Sequence, residues 1–212
     1  MLPNRRLPRL AARTALTFGL PPIIGLVLLG RVDLLIGLPA SFAPLADQVR
    51  GWLPGLDEPL ALMEVGAGAM AGMLLGSLVA WWRGRPGFML GRVDSVLPRA
   101  HDELGWAALL AVNAGVSEEL FFRLLLPWLT TQAGGSALAG FALATALFAW
   151  AHRYQGWIGM AVSAATGALF AALYLASGRL WVAVALHVAI DLNVLVIRPL
   201  LTGFRPSAAS RS

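Results

Sequence analysis

The sequence predicts an all-α fold, a polytopic membrane helical bundle of about six transmembrane helices, and three observations predict it. Hydrophobic residues make up 58% of the 212-residue chain and charged residues only 13%, against about a quarter charged in soluble domains. The mean hydropathy of +0.72 has the same sense. Apolar segments of spanning length, about 20 residues at 1.5 Å rise, recur at about 14–30, 59–82, 106–129, 136–151, 157–176 and 180–201. Charged, Gly- or Pro-containing breaks separate them. A bundle of this size uses up the chain as one membrane domain over 1–212, and the polar "RPSAASRS" at about 205–212 reads as a disordered tail.

The first span holds Pro21 and Pro22, which predict a kink, and an apolar run resumes after Arg31 and Asp33 toward Phe42. A basic start, an apolar run and "PASFA" also fit a cleavable signal peptide, but the run is long and lacks a clean polar boundary. In the second span Gly68, Gly72 and Gly76 repeat every four residues, a spacing that lets helices approach closely in lipid, with Glu64 one turn earlier on the same stripe. That stripe, Glu64 included, is expected to face protein, and Trp81 and Trp82 to sit at the interface. The third, fourth and sixth spans carry the polar residues of interest described below.

Charge sets the orientation. The net charge of +5 comes from 16 arginines and no lysine. Four arginines precede the first span and four more lie in 83–103, whereas 31–58 holds Arg31 and Arg50 against four acids, so both termini are expected to be cytoplasmic. No basic stripe interleaved with aromatics is present, which argues against nucleic acid. The absence of cysteine excludes disulfides and thiolate metal sites. The Ala- and Arg-rich, lysine-free usage points to a GC-rich, bacterial genome.

Ionisable groups inside spans cost several kcal/mol, at least ~2.5–3.5 on insertion scales, and so point to function by default. Five stand out: Glu118, Glu119, His152, His187 and Asp191. Adjacent helical residues point about 100° apart, so Glu118 and Glu119 diverge. Arg123 lies four residues after Glu119, which pairs those two and leaves Glu118 free for a cavity. His152 closes "FAWAH" one turn after Phe148, and His187 opens "HVAID" with Asp191 on the same face. Taken singly, each has a structural reading: an ion pair, a core hydrogen bond, or Asp191 holding the His187 ring. Asn113 and Glu64 read as packing groups. Together, carboxylates on one helix, a histidine on a second and a His/Asp pair on a third are the parts that activate water and stabilise an oxyanion.

"EELFFR", "FAWAH" and "HVAID" resemble the EExxxR, FxxxH and HxxxN/D motifs of the CPBP intramembrane proteases, the family of CAAX prenyl endopeptidases and bacteriocin-processing or Abi proteins. The resemblance covers about 104–197 of a motif-bearing core at about 104–201. It implies a glutamate-dependent endopeptidase within the membrane, with Glu118 as general base assisted by His152, and with His187 and Asp191 stabilising the oxyanion. Glu119, Arg123 and Phe148 would support them. The implied substrate is a hydrophobic or membrane-anchored peptide cut near its end in the lipid bilayer of the cytoplasmic membrane. No cofactor is expected; His152, His187 and Glu118 would make a zinc set, but they are dispersed over three helices without an H-E-x-x-H element. The family often has asparagine where this chain has Asp191, and an ionised aspartate only accepts hydrogen bonds, so an orienting role toward His187 is expected.

Two other classes compete: a non-enzymatic peptide-binding immunity or chaperone protein, and a proton-coupled transporter. Intact motifs argue against the first, and the lack of visible inverted repeats against the second. With straight rods, Glu118 would lie ~18 Å into its span while His152 ends its own, a mismatch above ~10 Å. Tilt, a later start near Leu109 or an inward dip of "HRYQGW" is needed to bring them together.

Overall fold

The computed structural model describes residues 6–56, 58–83 and 92–204. Among these there are seven helices longer than a single turn, and no strand. They are α1, Arg6–Leu28; α2, Ala43–Trp52; α3, Pro59–Trp82; and α4, 104–132. α5 is Ala137–Ala151, α6 is Gly156–Ser177 and α7 is Leu180–Thr202. The proposed tail at 205–212 lies outside the described residues. An all-α membrane bundle is thus the fold.

Six of the helices fall on the six apolar segments. Four of them, within Arg6–Leu28, Ala61–Trp82, Arg153–Ser177 and Leu180–Thr202, are long and apolar enough to cross a membrane. α4 is long enough but carries Glu118, Glu119 and Arg123 through its middle. α5, with 15 residues, rises only ~22 Å against a hydrocarbon core of ~30 Å. The seventh helix, α2, is amphipathic and buries Leu45, Ala46 and Val49 against the bundle.

α1, α4 and α7 each contain one π-helical turn, at Ala15–Gly19, Leu120–Leu125 and Asn193–Ile197. Each turn is followed two residues later by proline: Pro21, Pro127 and Pro199. Proline donates no N–H, and its ring collides with the carbonyl four residues back in an α-helix. A widened turn removes that collision, so α1 does not stop at Pro21 and Pro22 but continues to Leu28.

Close approach is made by single glycines. A Cβ on Gly115 of α4 would lie 2.5 Å from Val188 Cγ2 and 3.0 Å from Val188 N of α7. One on Gly140 of α5 would lie 2.9 Å from Pro127 Cα of α4. The expected stripe is corrected here: Gly68, Gly72 and Gly76 have open space around them, and Glu64 is exposed with them. α3 docks instead through another face, where Ser77 Oγ and the Asn193 side chain exchange hydrogen bonds of 3.1–3.2 Å. In lipid a satisfied polar pair decides which face packs, because apolar side chains lose nothing by facing acyl chains.

At one end of the bundle Arg6 donates to Ser95 O and Leu97 O, both at 2.6 Å, and lies 3.3 Å from Glu103 Oε2. His101 packs edge-on against Phe204 there, with 4.6 Å between ring centroids. The N-terminal end of α1 and the C-terminal end of α7 therefore share that end.

Candidate functional site

The charges of α4 occupy the interior. Glu119 is fully buried (0% exposed) and binds two partners: its Oε1 accepts from His187 Nδ1 at 2.7 Å, and its Oε2 lies 3.0 Å from Arg123 Nε. The Arg123 contact is an ion pair without hydrogen-bond alignment. The guanidinium is instead seated between aromatic faces, 4.4 Å from the Phe148 centroid and 5.5 Å from that of Phe170. Desolvated cation–π contacts of this kind contribute about 2 kcal/mol. Gly167 gives the seat its room, since a Cβ there would come within 3.1 Å of both Arg123 Nη2 and Phe148 Cδ1.

The sequence paired Glu119 with Arg123, and the structure places them so. It adds the bond from Glu119 to His187, 68 positions away, which spacing along one helix cannot show. His187 is buried, stacks on Phe170 at 5.1 Å, and has its Nε2 3.6 Å from Asp191 Oδ2. The group that fixes the His187 ring by a hydrogen bond is thus Glu119, while Asp191 stands on the ring's far side.

Glu118 points elsewhere. It lines a cavity of about 220 Å³ together with His152 and Asp191. Three helices present this cavity with residues at helical spacing: Leu10, Thr14 and Phe18 from α1; Leu110, Ala114 and Glu118 from α4; Asp191, Val194 and Leu195 from α7. The Glu118 Oε2 atom is buried and makes no hydrogen bond to protein. His187 is not among the lining residues, so it stands behind Asp191 and not on the wall.

Glu118 and Asp191 sit within two residues of the π-helical turns that follow them, and Thr14 and Phe18 sit beside or within the third. Such turns recur at functional sites because they re-aim side chains within a helix. The signal that would have found Thr14 and Phe18 is therefore a proline one to two turns downstream of a polar or aromatic residue in a span.

The depth mismatch is met at the end of α5. That helix is short, and after His152 a 3-10 turn at Arg153–Gln155 brings Tyr154 and Gln155 to the cavity wall. Gln155 O accepts from Arg92 N at 3.0 Å, tying the turn to the segment that supplies Val93 and Val96 to the same wall. α4 itself starts at Leu104, so a later start near Leu109 is not what brings the residues together. His152 Nδ1 lies 2.8 Å from Phe148 O. A carbonyl only accepts, so Nδ1 carries the hydrogen, and in the neutral ring Nε2 is then the nitrogen with the lone pair.

For zinc, the donor set does not fit. His187 has Nδ1 committed to Glu119 and stands off the cavity, and among the described residues no three His, Asp or Glu side chains gather as a metal-binding group.

Fold and site define a helical membrane protein in which two carboxylates and one imidazole, Glu118, Asp191 and His152, converge from separate helices on one cavity. Among protein-family models, that of the Rce1-like type II CAAX prenyl endopeptidases matches residues 100–193. This segment carries all three motifs, and the match agrees with the resemblance read from them. No curated protein and no solved structure matches the chain.

Proposed function

We propose that this protein is a glutamate-dependent intramembrane endopeptidase acting on a hydrophobic or membrane-anchored peptide, in the cytoplasmic membrane of a bacterium with both termini inside. The observation that carries the reading is the shared cavity of Glu118, His152 and Asp191, with a Glu118 oxygen free of protein partners. Glu118 takes a proton from a water molecule, and the His152 Nε2 lone pair accepts the water's other hydrogen, so that the oxygen lone pair is aimed at the peptide carbonyl. Attack forms the C–O bond and a tetrahedral oxyanion. Asp191, on the cavity wall and carrying a proton, donates its O–H to that oxyanion, with the His187 imidazole behind it and Glu119 holding the ring. Glu118 then passes its proton to the amide nitrogen, the C–N bond breaks, and an acid and an amine leave. The largely apolar wall of Leu10, Val93, Val96, Leu110, Val194 and Leu195 suits a hydrophobic side chain next to the cut.

In liposomes, Glu118→Gln is expected to lower cleavage of a hydrophobic peptide by about 10²–10⁴-fold, the usual share of a general base. A chelator is expected to leave the wild type unchanged. Equal cleavage by wild type and variant would overturn the role of Glu118, and loss of cleavage on chelation would overturn the metal-free mechanism. Asp191→Asn, which supplies an N–H donor, should stay active, whereas Asp191→Ala should not; an alanine variant at the wild-type rate refutes any part for Asp191.

A further inference from the structure

A second cavity lies on the opposite side of α7, between α3, α7 and the end of α6, and shares no lining residue with the first. Its volume is about 430 Å³, within the roughly 300–1,000 Å³ of ordinary ligand clefts. Met63, Met70 and Met73 form one wall, and the small residues Gly66, Ala185 and Ala189 keep the floor open. Thioether side chains adapt their shape at little cost, which suits a long flexible chain.

One end of this apolar groove is charged. Arg179 lines it in the α6–α7 turn, at the end of the bundle opposite Arg6. The side chain is half-buried, and among the described residues it makes no hydrogen bond, ion pair or ring contact. Arg179 is not needed to cap α6, because Arg50 Nε already donates to Ala176 O at 3.0 Å and Ser177 Oγ to Leu173 O at 2.6 Å. Trp181, which also lines the groove, is 60% exposed, as an interfacial tryptophan is.

We infer that this groove binds an anionic phospholipid, with an acyl chain along Met63, Met70 and Met73 and the phosphate on Arg179. A guanidinium pairs with phosphate through two parallel N–H···O bonds. The charge selects the class: a zwitterionic headgroup brings its own cation beside Arg179, and an anionic one does not. Basic pockets between membrane helices take anionic headgroups for this reason.

Native mass spectrometry of the purified full-length protein in detergent, given equal amounts of phosphatidylglycerol and phosphatidylcholine with the same acyl chains, reads the preference directly. The wild type is expected to retain phosphatidylglycerol on the order of tenfold more, the value of one charge-assisted hydrogen bond. Arg179→Gln should equalise the two lipids, and Ala185→Phe, which fills the floor, should lower retention of both. Equal retention by the wild type, or an undiminished preference in Arg179→Gln, overturns the inference. If the variants do not fold, the wild type alone decides: phosphatidylglycerol must raise its thermal midpoint more than phosphatidylcholine does. An equal rise with glycerol phosphate, which has no chain, would assign the site to free phosphate and refute the lipid. Neither readout depends on proteolysis.

Discussion

α3 and α4 are both long helices that carry glycine, yet they are used in opposite ways. In α3 the three glycines at i, i+4 and i+8 face open space, and the helix buries little beyond Leu62, Ser77 and Ala80. In α4 one glycine, Gly115, touches the backbone of α7, and the face around it holds Ala111, Ala114, Glu118 and Glu119. The difference lies in the polar groups. α4 has charges whose partners sit on α6 and α7, so its close approach is enforced, whereas α3 is held by the Ser77–Asn193 pair and leaves its smooth face outward. Glycine spacing describes a surface that can be packed, and satisfied polar groups decide which surface is.

The largest effect is expected where the contrast is sharpest. Glu119→Ala leaves Arg123 charged and buried at 2% exposure without its carboxylate, a change that costs about 3–5 kcal/mol. Denaturation in detergent should show it, and adding Arg123→Met should restore much of the stability but not the cleavage, because His187 still lacks its hydrogen-bond partner. Full recovery of cleavage in the double variant would show that Glu119 matters only as a counter-ion.

Next comes Gly115→Val. With Val188 Cγ2 at 2.5 Å and Val188 N at 3.0 Å from the new Cβ, overpacking of about 1–3 kcal/mol follows, together with reduced cleavage as α7 moves Asp191. Val188→Ala should rescue only part, since the backbone nitrogen remains. The smallest effect is expected for Gly72→Leu in α3, within about 0.5 kcal/mol, as for substitutions that touch nothing. A large loss there would mean that the open face of α3 is covered in the membrane.

How much was legible follows the same division. The six apolar helices were readable because their composition is fixed by the solvent they meet, and their ends fall within a few residues of the breaks, except for α1, whose helix begins at Arg6 inside the basic N-terminus. Glu119 with Arg123 was readable because four residues on one helix fix a distance. The bond between Glu119 and His187 was not, because it depends on how two helices cross. α2 was missed because Pro39, Pro44 and Pro54 make its surroundings read as a loop, although Leu45, Ala46 and Val49 keep a helical period. Asp191 on the cavity wall with His187 behind it was not legible either, because sharing one helix face does not say which of the two lines a cavity.

The widened turns ahead of Pro21, Pro127 and Pro199 have an evolutionary consequence. A π-helical turn is one residue inserted into an α-helix, so in relatives that lack the proline the same helix is built with one amino acid fewer. Aligned against such relatives, this chain should show single-position gaps just after Glu119 and Asp191. Removing one residue there together with the proline should preserve the span and leave the residues downstream on their present faces, because the widened turn is what absorbs the extra residue's rotation of about 100°.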